Sequence, residues 1–215
     1  MRNISKAVEP ESLTRHRCNI NSDYDNYPEK DDLRKSLVAE QRGLCCYCTQ
    51  RIRPTVDKMK IEHWQCQSRF PEKQLNYANL LGACLGCQGQ TLEKQHCDTR
   101  KGDRDLTYNP ANPEHDVEGK IDFRGDGIIR SDDPIFNDEI HEVLNLNTRI
   151  LVKNRRAALG VVTSQFMARN PSKPVSKAAI QKELRKWNGE TDDGELQEFC
   201  QIAVYYLRKK LKKMP

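Results

Sequence analysis

Four short stretches decide the fold of this chain: GLCCYC (43–48), IEHWQCQS (61–68), NLLGAC (79–84) and HCDTRKGD (96–103). Between residues 43 and 103 lie seven of the nine cysteines and two of the five histidines. Thiolates suit zinc, whereas carboxylates and imidazoles suit a hard or borderline ion. A region that contains both kinds of ligand predicts two metal ions with different roles.

The composition bounds the class of protein. The 215 residues suggest one domain or two small ones, and a mean hydropathy of -0.85 predicts a very polar surface. The net charge of +5 is weak support for a polyanionic partner. We see no apolar signal segment and no stretch long enough to span a bilayer, so we expect no membrane partner and a cytoplasmic location with reduced thiols.

The order of patterns along the chain predicts three regions. Residues 1–42 are expected to form a loosely ordered arm and a lead-in helix that ends at Gly43. Residues 43–130 are expected to form the cysteine-rich core and a hairpin around 125–127. Residues 131–215 read as helical, with a break at PSKP (171–174), Ser176 as an N-cap and a last helix over 195–213. We expect this helical region to dock a partner protein, with Trp187, Tyr205 and Tyr206 as anchors.

The cysteine spacing predicts a structural zinc site. Cys45 and Cys48 form one CxxC pair, and Cys84 and Cys87 form another. Two such pairs can supply four thiolates in a tetrahedron. Cys97 competes with Cys87 for the fourth position, and spacing alone leaves this choice open. The alternative is a set of reduced, buried cysteines that act as small apolar residues.

A second set of residues has the chemistry of a reactive site. It contains the adjacent Glu62 and His63, then Asn79, then Asp98 beside Cys97. Each residue alone has an ordinary structural explanation; Asp98, for example, is a good N-cap. Their order is more informative: CxxC, E-H, N-L-L, C and finally C-D-x-x-K-G.

With these motifs, residues 43–102 resemble the HNH nuclease family. The matching residues are Glu62-His63, Asn79-Leu80 and the run from Cys97 to Gly102. The resemblance implies an α+β fold with a zinc-stapled ββα-metal core, flanked by helices and followed by a mostly helical C-terminal half. It also implies Cys97 as the fourth zinc ligand, with Cys87 as the alternate. Two departures are Cys66, where many relatives carry proline, and Asp98, where the family has His or Asn.

The same resemblance implies a mechanism. His63 would act as the general base, and Asn79 would fix the loop that positions it. Glu62 and Asp98 would hold Mg²⁺ or Mn²⁺. Arg100, Lys101 and Arg104 would contact flanking phosphates, although an ordinary solvated helix face is the alternative for these three.

Stretches outside this core extend the resemblance, namely the opening MRNISKAVEP (1–10), the helix that runs into EQRGLCCYC (40–48) and the late EVLNLNTRILVKNRRAAL (142–159). With them, the chain is similar over nearly its whole length to one subfamily, the PtuB-like nuclease subunits of Septu-type and retron-linked antiphage defence. The resemblance implies an ABC/SMC-like ATPase (PtuA-like) as partner and DNA as the default substrate. In a retron-linked system, a reverse transcriptase and its DNA would be further partners, and RNA such as tRNA an alternative substrate. The competing hypotheses are a non-catalytic zinc module that binds nucleic acid or protein, and a redox-sensing thiol protein. CxxC pairs outside a βαβ pattern argue against the last.

Overall fold

A computed structural model describes residues 1–169, 175–191 and 194–214 of the chain. Within these ranges the fold is α+β, as predicted, with seven α-helices and two small two-stranded sheets. The helices are α1 (Glu11–Arg17), α2 (Lys30–Glu40), α3 (Cys97–Lys101), α4 (Pro134–Asp138), α5 (Arg149–Arg169), α6 (Lys177–Trp187) and α7 (Cys200–Lys212). The strands are β1 (Lys60–His63), β2 (Leu80–Ala83), β3 (Asp122–Phe123) and β4 (Ile129–Arg130). Among the described helices, none has the length and apolar character that crossing a bilayer requires.

The first sheet carries the residues of the reactive site. β1 pairs antiparallel with β2, and Glu62 lies opposite Leu81 while His63 lies opposite Leu80. Short 3₁₀ turns at Pro71–Lys73 and Tyr77–Asn79 lie in the connection between the two strands. The side chain of Gln41, at the end of α2, exchanges two hydrogen bonds with the backbone of Gly82 in β2, of 2.6 and 2.7 Å. This clamp fixes the lead-in helix against the sheet.

The N-terminal residues differ from the loosely ordered arm that the sequence predicts. Residues 11–17 form α1, and Leu13 is buried in a cluster with Tyr27 and Leu33. Ile4 donates a backbone hydrogen bond of 2.8 Å to Pro110. The apolar residues here are too sparse to show a helical period, and their partners lie far away in sequence, so local patterns could not reveal this packing.

The short hairpin and the described part of the helical half follow the prediction, except for the start of the last helix. The β3–β4 hairpin is confirmed, and Ser176 accepts a hydrogen bond of 3.2 Å from the backbone N–H of Ala179 as the N-cap of α6. The break at 171–174 lies outside the described residues. The last helix starts at Cys200 rather than at 195, because Phe199 has a left-handed φ of +55° and its N–H bonds to the carbonyl of Thr49.

Trp187 is also not the exposed anchor that we expected. It is buried in a cluster with Ile180, Leu196 and Val204, where α6 packs against α7. A π-helical turn at Glu139–Val143 continues α4 and brings Leu144 to the start of α3. The cysteine-rich region therefore lies inside a core that the C-terminal helices help to build.

Candidate metal centre and catalytic groove

Four cysteines converge at the centre of the core. The Sγ atoms of Cys45, Cys48, Cys84 and Cys97 all lie within 4.8 Å of one another, and all four residues are buried. The Sγ–Sγ distance is 3.9 Å for Cys45 and Cys97, and 3.7 Å for Cys48 and Cys84. A Zn–S bond length of about 2.3 Å gives a tetrahedron with edges of about 3.8 Å. These four sulfurs can therefore hold a zinc ion.

Two turns with positive φ shape this cluster. Gly43 (φ +78°) precedes the first pair of cysteines, and Gly86 (φ +54°) follows Cys84. A Cβ atom on Gly86 would lie 2.0 Å from the carbonyl oxygen of His96. The turn after Cys84 therefore requires glycine. The His96 N–H donates a hydrogen bond to the Gly86 carbonyl, and this bond positions the backbone just before Cys97.

The structure separates the two candidates for the fourth thiolate. Cys97 belongs to the cluster, and its backbone N–H donates a hydrogen bond of 2.9 Å to Leu144. Cys87 is half-buried and is not part of the four-cysteine cluster found among the described residues. The second CxxC pair therefore contributes one thiol to the cluster. The segment 85–95 loops away from the cluster, and His96 returns to it, with Nδ1 3.2 Å from Cys97 Sγ.

A buried cation lies near the cysteine cluster. The guanidinium of Arg155 donates hydrogen bonds to the carbonyls of Gly127 (2.6 Å) and Leu146 (2.7 Å). Burial lowers the pKa of Arg155 to about 10, and attraction to Cys48 and Cys97 opposes this shift. The side chain remains charged at neutral pH, so it can offset part of the negative charge of a four-thiolate site.

The hard ligands lie in a separate polar groove of about 280 Å³. The side chains that line it and bear on the chemistry are Lys60, Glu62, His63, Cys66, Asp98 and Asp103. Lys60, Glu62 and His63 come from β1, and Asp98 comes from the first turn of α3. The structure therefore brings Glu62, His63 and Asp98 to one groove.

Glu62 is the most enclosed residue of the groove. Only 2% of its surface is exposed, and its Oε1 accepts hydrogen bonds from Tyr47 Oη (2.7 Å) and Lys101 Nζ (2.9 Å). Burial raises the pKa of Glu62, and the neighbouring Asp98 carboxyl, close enough for a hydrogen bond, raises it further. Lys101 acts in the opposite direction.

Asp98 is more accessible and more acidic than Glu62. Its Oδ2 lies 3.3 Å from Lys60 Nζ. Burial acts to raise the pKa of Asp98, but the hydrogen bond with Glu62 and the charge of Lys60 outweigh it, so the pKa is lowered. Two carboxyl groups that crowd together in this way repel when both are ionised, and a cation between them relieves the repulsion. The pair therefore fits the oxygen-donor set of a hard divalent ion, with Asp98 as the reachable ligand.

The imidazole of His63 is held at one nitrogen. Nε2 lies 3.0 Å from the carbonyl oxygen of Gln74, and the ring packs edge-on against Tyr24 at a centroid distance of 4.5 Å. Since a carbonyl only accepts, Nε2 carries the proton. Among the described residues, no atom forms a hydrogen bond with Nδ1. In the neutral ring this nitrogen keeps its lone pair, and burial lowers the pKa of His63 so that the neutral form predominates at pH 7.

Asn79 braces the loop that holds His63. Its Oδ1 accepts from the Gln65 N–H (2.8 Å), and its Nδ2 donates to the carbonyls of Gln65 (3.0 Å) and Lys73 (3.2 Å). Lys73 directly precedes Gln74, whose carbonyl orients the imidazole. Asn79 is buried and does not line the groove, so its position is that of a positioning residue.

The three basic residues expected to contact phosphates have other partners. Lys101 is 1% exposed and binds Glu62 and the carbonyl of His63 (3.1 Å), so it does not lie on a solvated helix face. Arg104 donates to the carbonyls of Glu142 (2.9 Å) and Val143 (3.0 Å). Arg100 donates to the carbonyl of Leu92 (3.2 Å). These contacts do not favour a direct role in phosphate binding, least of all for Lys101.

Three groups of the site were not among the residues predicted from the sequence. Lys60 could have been found, because residues two apart on a strand share a face and Glu62 was already a candidate. Tyr47 lies between two cysteines, and nothing in that position signals a contact with Glu62. The Gln74 carbonyl is a backbone group, so its role depends only on the path of the loop.

In comparisons with known proteins, no family model and no curated protein matches this chain.

Proposed function

We propose that this protein is a metal-dependent endonuclease of the HNH type, which hydrolyses phosphodiester bonds. The observation that carries the proposal is the arrangement of His63: one nitrogen is tied to a carbonyl, and the ring shares a groove with Glu62 and Asp98. A purely structural zinc module has no use for a lone-pair nitrogen beside two carboxylates. The order of the motifs in the sequence is a second, independent support.

In this proposal His63 is the general base. Nδ1 takes a proton from a water molecule, and the water oxygen bonds to phosphorus as the bond from phosphorus to the 3′ oxygen breaks. The departing oxygen takes a proton from solvent. Asp98 and Glu62 would hold a divalent ion, which would supply Lewis-acid stabilisation of the charge on the phosphate and on the leaving oxygen. Asn79 acts through the loop, and Lys101 acts by holding Glu62 in place.

The four-cysteine cluster has a structural role in this proposal. A zinc ion bound there would join three parts of the site. The turn from Cys45 to Cys48 carries Tyr47, strand β2 pairs with the strand that carries His63, and the start of α3 carries Asp98. The site is closed by four thiolates, so the zinc takes no part in hydrolysis.

The biological setting that we propose is an antiphage defence complex with a PtuA-like ATPase of the ABC/SMC class. DNA is the default substrate; RNA such as tRNA, in a retron-linked system with a reverse transcriptase, is the alternative. The net charge of +5 supports a nucleic-acid substrate of either kind.

A specific observation favours one competing function. Glu62 is nearly inaccessible, and one of its oxygens is taken by Tyr47 and Lys101. A non-catalytic zinc module in which this cluster is only a buried ion pair would have the same contacts. That module would bind nucleic acid or a partner protein without cutting.

One experiment separates the two functions. The chain is co-expressed with its ATPase partner, and cleavage of DNA and of tRNA is measured with Mg²⁺ or Mn²⁺. His63→Ala should reduce cleavage by about 100-fold or more, the range for loss of a general base, while metal analysis still finds about one zinc per chain. His141→Ala, a half-buried histidine outside the groove, is the matched control. Full cleavage by His63→Ala would remove the general-base role from His63, and no divalent-dependent cleavage by the wild type would support the non-catalytic module.

A further inference from the structure

One basic side chain lines the polar groove that contains His63. Among the described residues around this groove, Lys60 is the one lysine or arginine, and the acidic residues are Glu62, Asp98 and Asp103. The basic residues that follow Asp98 in the sequence have other partners. A groove that holds a phosphodiester beside carboxylates needs a cation to balance the phosphate charge, and Lys60 is the candidate that the lining offers.

Two lysines flank the carboxyl pair, and they differ in their freedom to move. Lys101 Nζ lies 2.9 Å from Glu62 Oε1, donates to the carbonyl of His63 (3.1 Å) and belongs to a side chain that is 1% exposed. Lys60 Nζ lies 3.3 Å from Asp98 Oδ2, and its side chain is 29% exposed. Its ammonium has no second ion pair among the described residues. Lys60 can therefore leave its carboxylate at little cost, whereas Lys101 cannot.

Lys60 and a divalent ion would compete for the same carboxylate. Asp98 is the reachable ligand of the carboxyl pair, because Glu62 is 2% exposed and its Oε1 binds Tyr47 and Lys101. A Mg²⁺ ion lies about 2.1 Å from a ligand oxygen, so an ammonium 3.3 Å from Asp98 Oδ2 would lie next to the ion. Two cations at such a distance repel each other, and the bound ion would displace the ammonium.

The displaced ammonium would remain at the groove. Lys60 and Glu62 are two residues apart on β1, so their side chains lie on the same face of the strand. The flexible four-carbon stem of lysine lets its charge move by several ångströms while the backbone stays in place. A phosphate that binds to the ion at Asp98 would bring negative charge to the same place, so the ammonium has a new partner there.

We propose that Lys60 is the phosphate-contacting residue of this groove and that Asp98 holds its ammonium until a divalent ion takes the carboxylate. The ion and the phosphate then bind cooperatively, because the ion releases the ammonium that the phosphate attracts. The inference rests on the proposed function for the phosphodiester substrate. It assigns to Lys60 the phosphate contact that the sequence prediction placed at residues 100, 101 and 104.

The first measurement is the affinity of the full chain, with zinc in its four-cysteine cluster, for Mn²⁺ by electron paramagnetic resonance. Lys60→Met should bind Mn²⁺ about two- to fivefold more tightly than the wild type, the range for release of a partly exposed ion pair. The matched control Lys58→Met removes the same charge from an exposed lysine that pairs with Asp57 outside the groove, and it should bind Mn²⁺ as the wild type does. Asp98→Asn should weaken binding, which places the measured ion in the groove.

The second measurement is the binding of a short fluorescein-labelled DNA duplex by anisotropy, with and without Mn²⁺. All proteins in it carry His63→Ala, so that cleavage cannot consume the probe and binding can be measured whether or not the wild type is a nuclease. Mn²⁺ should tighten DNA binding, and Lys60→Met should reduce this gain by about the same two- to fivefold, because the two couplings are reciprocal. Lys60→Arg keeps the charge and should retain most of the gain, and Lys58→Met should retain all of it.

The proposal is supported if Lys60→Met tightens Mn²⁺ binding and lowers the gain in DNA affinity while Lys58→Met does neither. It is overturned if the two variants bind Mn²⁺ equally, because Lys60 then does not compete with the ion. It is also overturned if the gain is unchanged in Lys60→Met, because the displaced ammonium then turns to a carboxylate such as Asp103. No Mn²⁺ binding by the wild type, or none lost in Asp98→Asn, overturns it as well. A wild type that shows the full coupling but cuts no nucleic acid would support this role of Lys60 and overturn the nuclease function.

Discussion

The Nε2 atom of His63 lies 3.0 Å from the carbonyl oxygen of Gln74, and this contact determines which ring nitrogen can act as a base. The carbonyl fixes the proton on Nε2 and leaves the lone pair on Nδ1. Tyr24 limits rotation of the ring from one side. The Gln74 carbonyl and the Tyr24 ring therefore set the orientation of His63. Neither residue belongs to the sequence motif that made His63 a candidate.

For the proposed hydrolysis, this arrangement of His63 predicts how the cleavage rate depends on pH. Protonation of Nδ1 removes the base, so the rate should rise with pH and then level off. Because burial lowers the pKa of His63, the midpoint should lie below the ordinary value of about 6.5. The measurement is kcat/KM against pH for the wild type and for His141→Asn as control, which should share one profile. A midpoint above 6.5 would mean that a neighbouring charge, rather than burial, controls the ring.

The same shift predicts a change in stability. A lowered pKa means that the unfolded state binds a proton more readily than the folded state between the folded pKa and about 6.5. The free energy of unfolding should therefore fall as the pH is lowered through that window. Urea unfolding of the wild type and of His63→Ala at several pH values gives the comparison, and the variant should lose part of this dependence.

Asn79 is predicted to act on the reaction only through the loop. Asn79→Ala removes three hydrogen bonds to the backbone of Gln65 and Lys73 and leaves buried groups unpaired, at a cost of about 1–3 kcal/mol in the free energy of unfolding. At temperatures where the variant is folded, kcat should fall more than KM changes. Asn79→Asp keeps the acceptor for the Gln65 N–H and should retain more activity. A raised KM with normal kcat would instead indicate direct contact with the substrate.

The four-cysteine cluster predicts a sharp difference between neighbouring thiols. Cys97→Ser should abolish tight zinc binding, whereas Cys87→Ser should retain about one zinc per chain, because only the first lies in the cluster. Loss of the ion should lower the melting temperature by about 2–4 °C for each kcal/mol of stability lost in a chain of this size. Metal analysis and thermal unfolding of both variants give the answer. Loss of zinc in Cys87→Ser alone would reverse the assignment.

Local patterns were sufficient for part of this structure. The β3–β4 hairpin follows from its turn residues, the start of α6 follows from Ser176, and the helical start at HCDTRKGD appears as α3. Each of these depends on contacts within a few residues. The convergence of Cys45, Cys48 and Cys84 was also predictable. The turn of a CxxC pair brings its two thiols together, and a structural zinc site requires four ligands, so further cysteines must join them.

Other features depend on contacts that no local pattern encodes. Spacing alone left Cys97 and Cys87 open, and only the resemblance to the nuclease family implied Cys97. In the structure, the loop at Gly86 and the hydrogen bond to Leu144 bring Cys97 to the cluster. The late start of α7 follows from the bond between Phe199 and Thr49, which joins distant parts of the chain. The basic residues after Asp98 have the pattern of a solvent-exposed helix face. Lys101 is nevertheless buried, because its ammonium group pairs with the buried carboxyl of Glu62.

The ion pair of Lys101 and Glu62 leads to the last prediction. Both side chains are nearly inaccessible, and their atoms Nζ and Oε1 are 2.9 Å apart. Lys101→Met keeps the aliphatic stem but leaves a buried carboxyl uncompensated, which should cost about 3–5 kcal/mol in the free energy of unfolding. Adding Glu62→Gln should recover much of this loss, since the uncompensated group is then neutral. Lys60→Met, at the more exposed pair with Asp98, should cost about 1 kcal/mol or less and serves as the control. Urea unfolding of the four proteins gives the energies. The prediction is contradicted if Lys101→Met is as stable as the wild type and only reduces the salt dependence of nucleic-acid binding. Lys101 would then contact phosphate in solution instead of forming the buried ion pair with Glu62.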